Sequence, residues 1–357
     1  MGNKCKPVSR YESKNLARPL ICLQDEKQQK KIRKRWDFVV KKFAVFDRPF
    51  EVLLENSPDK FRRYLSEGPP DNLRWEVWKA ALNVSGRPIV LDTSLSEDNY
   101  SIEKDLERTF PDHPFFSTPR GIRSLRNVLV SMVNNHPELG YCQGMNSLAG
   151  VLLIVSKNEE ESFAMLEKIC FGFGAKGLFE YEFPLVVELC AEFHRVLKEK
   201  LPEVHHFFKD IELDDNLWLT KWFMTLFSYS FHLSCVIRIW DCIFAYGLGY
   251  MINISLGLIE FIKSELLNKS LSDILEYLPE LKEILIDIDL VLFHSVKFPV
   301  KPFNLLSPNL QTSFEEIDAQ DPIRTNWEAS THSAQNSKSL MEEFSVCFSN
   351  NVSKFSM

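Results

Sequence analysis

Two short segments of this chain present side chains that can act on a phosphoryl group. The segment 102–108 ends in Arg108 shortly before Pro111, and the segment 141–144 places Gln143 beside a glycine. Phosphoryl transfer spreads negative charge over phosphate oxygens and needs a water molecule held in line, so a guanidinium and a carboxamide are useful groups to donate. Neither group needs a shifted pKa or a metal ion. Both need rigid elements that present them at a fixed separation.

The arginine is expected to lie at the end of a helix. Apolar or small side chains recur at helical intervals over residues 102–109, and this spacing places Asp105 and Arg108 three residues apart on one face. The carboxylate can then hold the guanidinium in one orientation. Pro111 cannot continue a helix, so Arg108 should lie in or near the last turn. Pairs of this kind also occur on solvated helix faces, so the pair by itself identifies no function.

The glutamine is expected in a turn that leads into a buried helix. An amphipathic helix that begins near Pro119 ends over residues 134–140, and a new apolar run begins at Met145. Gly140 and Gly144 permit a backbone geometry or a close approach that a Cβ atom would block. A lone glutamine at such a turn more commonly caps the following helix, so this segment is also ambiguous when taken alone.

Together the two segments resemble the TBC family of Rab GTPase-activating proteins. The I-x-x-D-x-x-R signature of the family is matched by Ile102, Asp105 and Arg108, and its Y-x-Q-G signature is matched by Tyr141, Gln143 and Gly144. Two signatures in the right order are much more specific than one. Further family landmarks are matched at Gly68-Pro69-Pro70, Arg74 and Trp78, and later at Arg238, Trp240, Asp241 and Gly247. The resemblance extends over residues 64–262.

The resemblance implies an all-α, multi-helix TBC-type domain with two helical lobes, which we assign to residues 59–300. It implies that Arg108 neutralises transition-state charge and that Gln143 replaces the water-positioning glutamine of a partner GTPase. The supporting residues would be Ile102, Asp105, Tyr141 and Gly144. The implied partner is a Rab-type small GTPase in its GTP-bound form, which carries the GTP and Mg²⁺, so no cofactor of the chain's own is expected. The implied process is vesicle trafficking.

Other functions remain open at this point. One is a TBC-like adaptor or scaffold that binds a GTPase or another trafficking protein without accelerating hydrolysis. Another is a purely architectural helical protein, which would be favoured if the surface around Arg108 and Gln143 were buried. A thiol nucleophile at Cys142 has little support, because no flanking residue identifies a base. The chain has no phosphate-binding loop, so a nucleotide would arrive in the partner.

A second group of residues is interpreted as scaffold. Arg238 and Asp241 fall at i,i+3 inside an apolar segment, where a charge is tolerated only when it is paired. Aromatic residues at i,i+3, such as Trp75 and Trp78, more often fill a core than form a site. The residues assigned to the scaffold are Arg74, Trp78, Arg238, Trp240 and Asp241.

The composition indicates a helical protein with a large core. The chain has 357 residues, of which 45% are hydrophobic, and no sustained strand pattern is evident. Its eight cysteines show no C-x-x-C pair and no metal-ligand spacing with histidine, so we expect free thiols, no metal site and a cytoplasmic protein. The uncharged stretches 139–156 and 242–259 reach the length of a membrane span, but their polar residues and glycines favour core helices.

Positive charge is concentrated near the N-terminus. Residues 1–48 contain 14 Lys/Arg and 5 Asp/Glu, a net charge of +9 in a chain whose total is −7. We assign residues 1–58 to a basic N-terminal extension. Its densest part predicts a helix with an apolar face that includes Trp36 and Val39, and this face either rests on anionic lipid at an endomembrane or, as we favour, docks on the following domain. Nucleic-acid binding would depend on this basic segment alone and is not expected.

Both ends of the chain carry further expectations. The opening Met1-Gly2-Asn3-Lys4-Cys5 resembles the start of an acylated protein, with Gly2 as the myristoyl site and Cys5 as a second acylation site, although Lys6 departs from that motif. Residues 301–357 are rich in polar residues and lack apolar periodicity, so we predict a disordered tail. Within it, residues 340–348 form one apolar segment that can bind a partner.

Overall fold

The computed structural model describes residues 26–84, 89–94, 98–279, 281 and 286–298. These residues form fifteen α-helices and no β-strand, so the predicted all-α fold is confirmed. In chain order the helices are α1 Glu26–Lys42, α2 Pro49–Asn56, α3 Pro58–Ser66, α4 Asp71–Leu82, α5 Asn99–Leu106, α6 Pro119–Asn135, α7 Met145–Ser156, α8 Glu159–Glu167, α9 Pro184–Lys200, α10 Pro202–Asp210, α11 Leu219–Met224, α12 Leu233–Tyr246, α13 Tyr250–Leu266, α14 Leu271–Tyr277 and α15 Ile288–Ser295.

Prolines and polar caps set the beginnings of many helices. Helices α2, α3, α6, α9 and α10 each begin with proline, whose fixed φ suits the first helical position and whose missing N–H has no partner to lose there. Thr118 caps α6 by accepting a hydrogen bond from the backbone N–H of Gly121. The predicted start of this helix at Pro119 is confirmed.

The buried apolar side chains of the described residues form one connected cluster that runs from Ile32 to Phe298. Helix α7 lies inside it, because its residues from Met145 to Leu153 are all buried. It packs against α6 and α8, and α5 packs against α6 at the edge of the same group. This burial explains why the apolar side chains of α7 surround most of the helix and are not confined to one face.

Both stretches that reach the length of a membrane span belong to the core. The first is shortened to the 12 residues of α7. The second is divided by a turn at Gly247, which separates α12 from α13. Among the residues placed by the structure, we find no helix with both the length and the apolar content that a bilayer crossing requires.

The first helix of the structure packs its apolar face against α2 and the helices that follow. Trp36 is fully buried, and its ring lies edge-on to Phe50 and Tyr64 at centroid distances of 5.7 and 6.0 Å. Val39 is buried beside it. Residues 26–58, which we assigned to the N-terminal extension, therefore contribute to the same core as the rest of the helices. The predictions for Gly2, Cys5 and the tail 301–357 concern residues outside the described ranges.

A buried carboxylate joins α4 to α12. Asp241 is fully buried and accepts hydrogen bonds from Trp78 Nε1 at 2.8 Å, Arg74 Nε at 3.2 Å and Arg238 Nη1 at 2.8 Å. Arg238 also contacts Asp289 and donates to the carbonyl oxygen of Ser66. Burial opposes the charge of Arg238, but the two carboxylates raise its pKa above the ordinary value. Trp240 lies next to Asp241, and its Nε1 donates to Leu226 O at 2.9 Å.

Candidate functional site

Arg108 projects from the turn that follows α5. The helix ends at Leu106, and buried Ile102 and Leu106 fix it to the core, so the arginine follows a firmly held last turn. Its side chain is 27% exposed and its Nη2 forms an ion pair with Oδ1 of Asp105. The predicted i,i+3 pair is therefore present at the end of this helix. Asp105 therefore holds the guanidinium through Nη2, while the side chain remains partly exposed at the surface.

Gln143 lies in the turn between α6 and α7, as predicted. Gly140 and Gly144 both adopt positive φ, 64° and 114°, which a residue with a Cβ atom rarely does. A Cβ atom on Gly144 would lie 3.3 Å from the carbonyl oxygen of Met224, so the turn also approaches another segment closely. The positive φ and the close approach to Met224 both favour glycine at position 144.

The glutamine side chain does not cap α7. The backbone N–H of Gly144 instead donates to Oδ1 of Asn146 at 3.0 Å, so a neighbouring amide satisfies the start of the helix. Gln143 is partly buried, and within the described structure its Nε2 is shielded from solvent without a hydrogen-bond partner. An amide in this state can form a new hydrogen bond with little competition from other protein groups.

Asp105 connects the two segments. This carboxylate is only 3% exposed, and it accepts a hydrogen bond from the hydroxyl of Tyr141 at 2.5 Å while it pairs with Arg108. One buried group therefore contacts the arginine of the first segment and the tyrosine two residues before the glutamine. Both segments are held to each other by side chains that belong to the two signatures.

A second bridge, which sequence reasoning missed, runs through Thr109 and Asn146. The Thr109 hydroxyl donates to the carbonyl oxygen of Asp105 at 2.6 Å and accepts from Asn146 Nδ2 at 2.8 Å. The side-chain oxygen Oδ1 of Asn146 also accepts the hydrogen bond from the backbone N–H of Gly144 described above. A buried asparagine near the start of an apolar helix is the one sequence signal that could have pointed to this bridge, because such a group needs partners.

Asp98, at the start of α5, was also missed. Its Oδ2 accepts a hydrogen bond from the backbone N–H of Tyr141 at 2.9 Å. A Cβ atom on Gly140 would lie 3.2 Å from the same oxygen, so this glycine makes room for the carboxylate. The turn that carries Gln143 is thus attached to both ends of α5, through Asp98 at its beginning and Asp105 near its end.

Burial dominates the electrostatics of the site. It raises the pKa of Asp105 above its ordinary value, although the Tyr141 hydrogen bond and the Arg108 charge oppose the shift. Burial, and next the nearby Asp105, raise the pKa of Tyr141 well above its ordinary value, so its hydroxyl remains a donor. The same causes raise the pKa of Cys142 to about 12, which leaves a protonated thiol and argues against a nucleophile.

The site therefore offers hydrogen-bond donors and one positive charge. Over the described ranges, no cluster of three His, Cys, Asp or Glu side chains could hold a metal ion. The positive charge is the guanidinium of Arg108, and the amide of Gln143 lies in the turn that Asp98 and Asp105 attach to the same helix. This combination suits an anionic group whose negative charge increases during a reaction.

Comparison with known proteins identifies the family. The family model described as the Rab-GTPase-TBC domain matches residues 71–267, more than half of the chain. The chain belongs to this family. The matched region contains both signatures and all five residues assigned to the scaffold.

Two of the relatives compared with this TBC-domain protein are named GTPase-activating proteins. It is 30% identical over 248 residues to the Rab GTPase-activating protein tbc-11 of Caenorhabditis elegans, an alignment that covers 64% of this chain and 26% of that protein. It is 29% identical over 227 residues to the GTPase-activating protein gyp2 of Schizosaccharomyces pombe, covering 58% of this chain and 30% of that protein. The chain thus spans less than a third of the length of these two relatives. The growth hormone-regulated TBC protein 1-A of Danio rerio is 33% identical over 234 residues, with 61% and 64% covered.

Solved TBC-domain structures share the fold. The crystal structure of the Chlamydomonas flagellar RabGAP TBC domain superposes with a TM-score of 0.62 at 22% identity, covering 77% of this chain and 96% of that one. The Ypt/Rab-GAP domain of Gyp1p superposes with a TM-score of 0.58 at 16% identity, covering 72% and 97%. At these identities the likeness establishes the helical architecture alone.

Proposed function

We propose that this protein accelerates GTP hydrolysis by a Rab-type small GTPase and that Arg108 and Gln143 are the side chains it donates. The observation that carries the proposal is the position of Asp105, a buried carboxylate bonded both to Arg108 and to Tyr141 of the glutamine turn. Family membership and the names of the relatives support the same activity.

Each donated group has a distinct role in this proposal. The planar guanidinium of Arg108 neutralises the negative charge that develops on the phosphate oxygens during transfer, and Asp105 fixes its direction. The amide of Gln143 orients the attacking water in place of the partner's own glutamine. An arginine supplied in this way can raise the hydrolysis rate by a factor on the order of 10³ to 10⁵.

The hydrogen-bonding state of Gln143 supports its assigned role. Its Nε2 lacks a protein partner in the described structure, whereas Asn146 and Thr109 are engaged with each other. A buried amide donor without a partner is unfavourable by about 1 to 3 kcal/mol, so a complex that supplies an acceptor gains that energy. We propose that the attacking water or a backbone carbonyl of the GTPase provides the acceptor.

The partner carries the reactive nucleotide in this proposal. It is the GTP-bound form of the GTPase, with GTP and Mg²⁺ in its own site, and the process that it controls is vesicle trafficking. We place this function in the cytoplasm, with peripheral contact to an anionic endomembrane through the basic N-terminal extension. The charge of residues 1–48 motivates that contact.

A panel of GTP-loaded Rab GTPases tests the activity. We expect at least one member to release phosphate faster with the wild-type chain and to lose that acceleration with Arg108→Ala or Gln143→Ala. Arg123→Ala is the matched control, because this arginine is exposed on α6 and outside both segments. Binding of a GTPase without faster hydrolysis by the wild type would instead identify the adaptor, and would refute the proposed activity.

A further inference from the structure

The helix α1 has two chemically different faces. Ile32, Trp36 and Val39 are buried against the domain. Around the opposite side, Lys30, Lys34, Phe38 and Lys41 recur at the spacing of one helical face, and Lys31 and Lys42 flank them. All six of these outward side chains are exposed. We call this surface, together with Val45 and Phe46 of the following turn, the α1 basic face.

Large apolar side chains project from the α1 basic face. Phe38 is 58% exposed, Val45 is 86% exposed and Phe46 is 49% exposed. Phe38 and Phe46 border one groove of about 300 Å³, so the two rings lie on the same part of the surface. The backbone N–H of Phe46 donates to the carbonyl oxygen of Phe43, which fixes the turn that presents these side chains. Exposed apolar side chains grouped on one part of a surface are typical of interaction sites.

The charge around these groups is strongly positive. Residues 29–46 include seven Lys/Arg and one acidic residue, Asp37. Arg35 is engaged with Glu67, but the six exposed positions of α1 named above include five lysines. Asp47 follows Phe46 and is the nearest acidic residue along the chain on that side. The lysines from position 30 to position 41 extend over about 16 Å of helix.

We infer that the α1 basic face docks on an anionic membrane, with Phe38, Val45 and Phe46 inserted among the lipid headgroups. This inference rests on the membrane contact proposed above and assigns it to a particular surface. The face that we considered for lipid contact from the sequence, with Trp36 and Val39, is occupied by the domain core. Lysines spread along a helix, with aromatic and aliphatic tips between and beside them, match the chemistry of an interfacial anchor.

Vesicle binding by the full-length chain tests the inference. The probe is co-sedimentation with phosphatidylcholine vesicles that do or do not contain phosphatidylserine. We expect Lys34→Gln/Lys41→Gln to weaken binding about 30-fold, since each lysine near an anionic surface contributes about fivefold. Phe38→Ser/Val45→Ser should weaken it at least about tenfold, because both side chains leave water on insertion. Lys198→Gln/Lys200→Gln on α9 is the control and should bind normally.

Several outcomes would overturn the inference. If the α1 variants bind like the wild type while substitution of Lys4, Lys6, Arg10 and Lys14 by glutamine abolishes binding, the membrane contact stands but the α1 basic face does not make it. Equal binding to neutral vesicles would refute the electrostatic contribution. Tighter binding to a poly-glutamate peptide than to vesicles, lost in the same variants, would assign the face to an acidic protein. Absence of vesicle binding by the wild type would refute both membrane proposals.

The hydrolysis assay in solution separates this inference from the proposed activity. The α1 variants change exposed side chains only, so we expect them to stimulate a responding GTPase like the wild type when no vesicles are present. Loss of stimulation in that vesicle-free assay would show that the α1 basic face serves the GTPase rather than a membrane, and would overturn the inference.

Discussion

Asp105 occupies a position where one charge acts on both segments of the site. Its carboxylate is desolvated, which favours protonation, yet it is also hydrogen-bonded and paired with Arg108. Loss of any one partner of such a buried charge lowers the stability of the fold, because the charge is then less well compensated. At the residue scale we therefore expect the site to be sensitive to small changes around Asp105, even though this residue does not reach the surface.

Replacement of Asp105 by asparagine should keep Arg108 in the chain but remove the ion pair that orients its guanidinium. The amide can still accept from Tyr141, but the attraction for the guanidinium is lost, so Arg108 samples other directions. We expect stimulated hydrolysis to fall about 100-fold, because a displaced catalytic group has effects of that size. The measurement is single-turnover phosphate release at saturating concentrations of the chain. The control is Glu103→Gln, on the same helix as Asp105. It removes the charge of an exposed carboxylate that pairs with Arg126 of α6, and it should leave the rate unchanged. An unchanged rate in Asp105→Asn would contradict the positioning role.

At the scale of elements, the turn into α7 depends on glycine. In Gly144→Ala, an alanine would have to adopt a φ of 114°, and its Cβ atom would lie 3.3 Å from Met224 O. We therefore expect a loss of about 1 to 3 kcal/mol in the free energy of unfolding, together with impaired stimulation of hydrolysis. Gly247→Ala is a matched control, because Gly247 also has positive φ but lies outside the site and has open space around it. Denaturant unfolding and phosphate release are measured for both. Equal hydrolysis defects in the two variants would indicate a global effect.

The stability contributed by the contact between α9 and the turn before α11 should depend on pH. His194 Nε2 lies 2.6 Å from Asp215 Oδ2. Burial favours the neutral ring, but the hydrogen bond and charge of Asp215 outweigh it and raise the pKa of His194 above 6.5. Below pH 6.5 the ring is charged in both states and the stabilisation is complete. As pH rises, the unfolded ring loses its proton first, so the stabilisation decreases until the folded pKa is passed.

Comparison of wild type with Asp215→Asn isolates this contribution. The difference in their free energies of unfolding should be largest below pH 6.5 and should shrink as pH rises through the folded pKa. Denaturant unfolding across that range measures it, and an NMR titration of the His194 ring gives the folded pKa directly. A difference that grows with pH would show that Asp215 does not stabilise the charged ring.

Local elements could be predicted from the sequence because their signals are local. Prolines and caps mark helix starts, as at Pro119, and the i,i+3 spacing of Asp105 and Arg108 gives their ion pair. The contact from Tyr141 to Asp105 joins residues 36 positions apart, and no spacing rule specifies it. The bonds of Asn146 and Asp98 are of the same long-range kind. Tertiary packing decides which polar groups meet, so the site's connections appeared only in the structure.

At the scale of the whole molecule, Asp241 connects α12 to α4 and, through Arg238, to α15. Its carboxylate pairs with Arg74 of α4 and with Arg238 of α12. Asp71 also pairs with Arg74, and Asp289 of α15 also pairs with Arg238. Because these groups are desolvated, the loss of the central charge leaves two buried cations with weaker compensation. The effect should appear as lower global stability rather than as a change confined to the candidate site.

Asp241→Asn tests that role. We expect a loss of about 3 kcal/mol in the free energy of unfolding, a size typical of breaking a buried ion pair. Arg195→Ala, which removes an exposed pair with Glu192 on α9, serves as the comparison and should change stability by less than about 1 kcal/mol. The experiment is denaturant unfolding followed by tryptophan fluorescence. A loss in Asp241→Asn no larger than in Arg195→Ala would contradict the scaffold interpretation.

The most direct measurement is single-turnover hydrolysis of GTP on a responding Rab GTPase by four proteins: wild type, Arg108→Ala, Gln143→Ala and the double variant. If the two side chains act together on one transition state, each single variant should lose a factor on the order of 10³ or more, and the double variant should lose little beyond the worse single one. Stimulation that survives in either single variant at close to the wild-type rate, in protein shown to be folded, would contradict the proposed pair of donated groups.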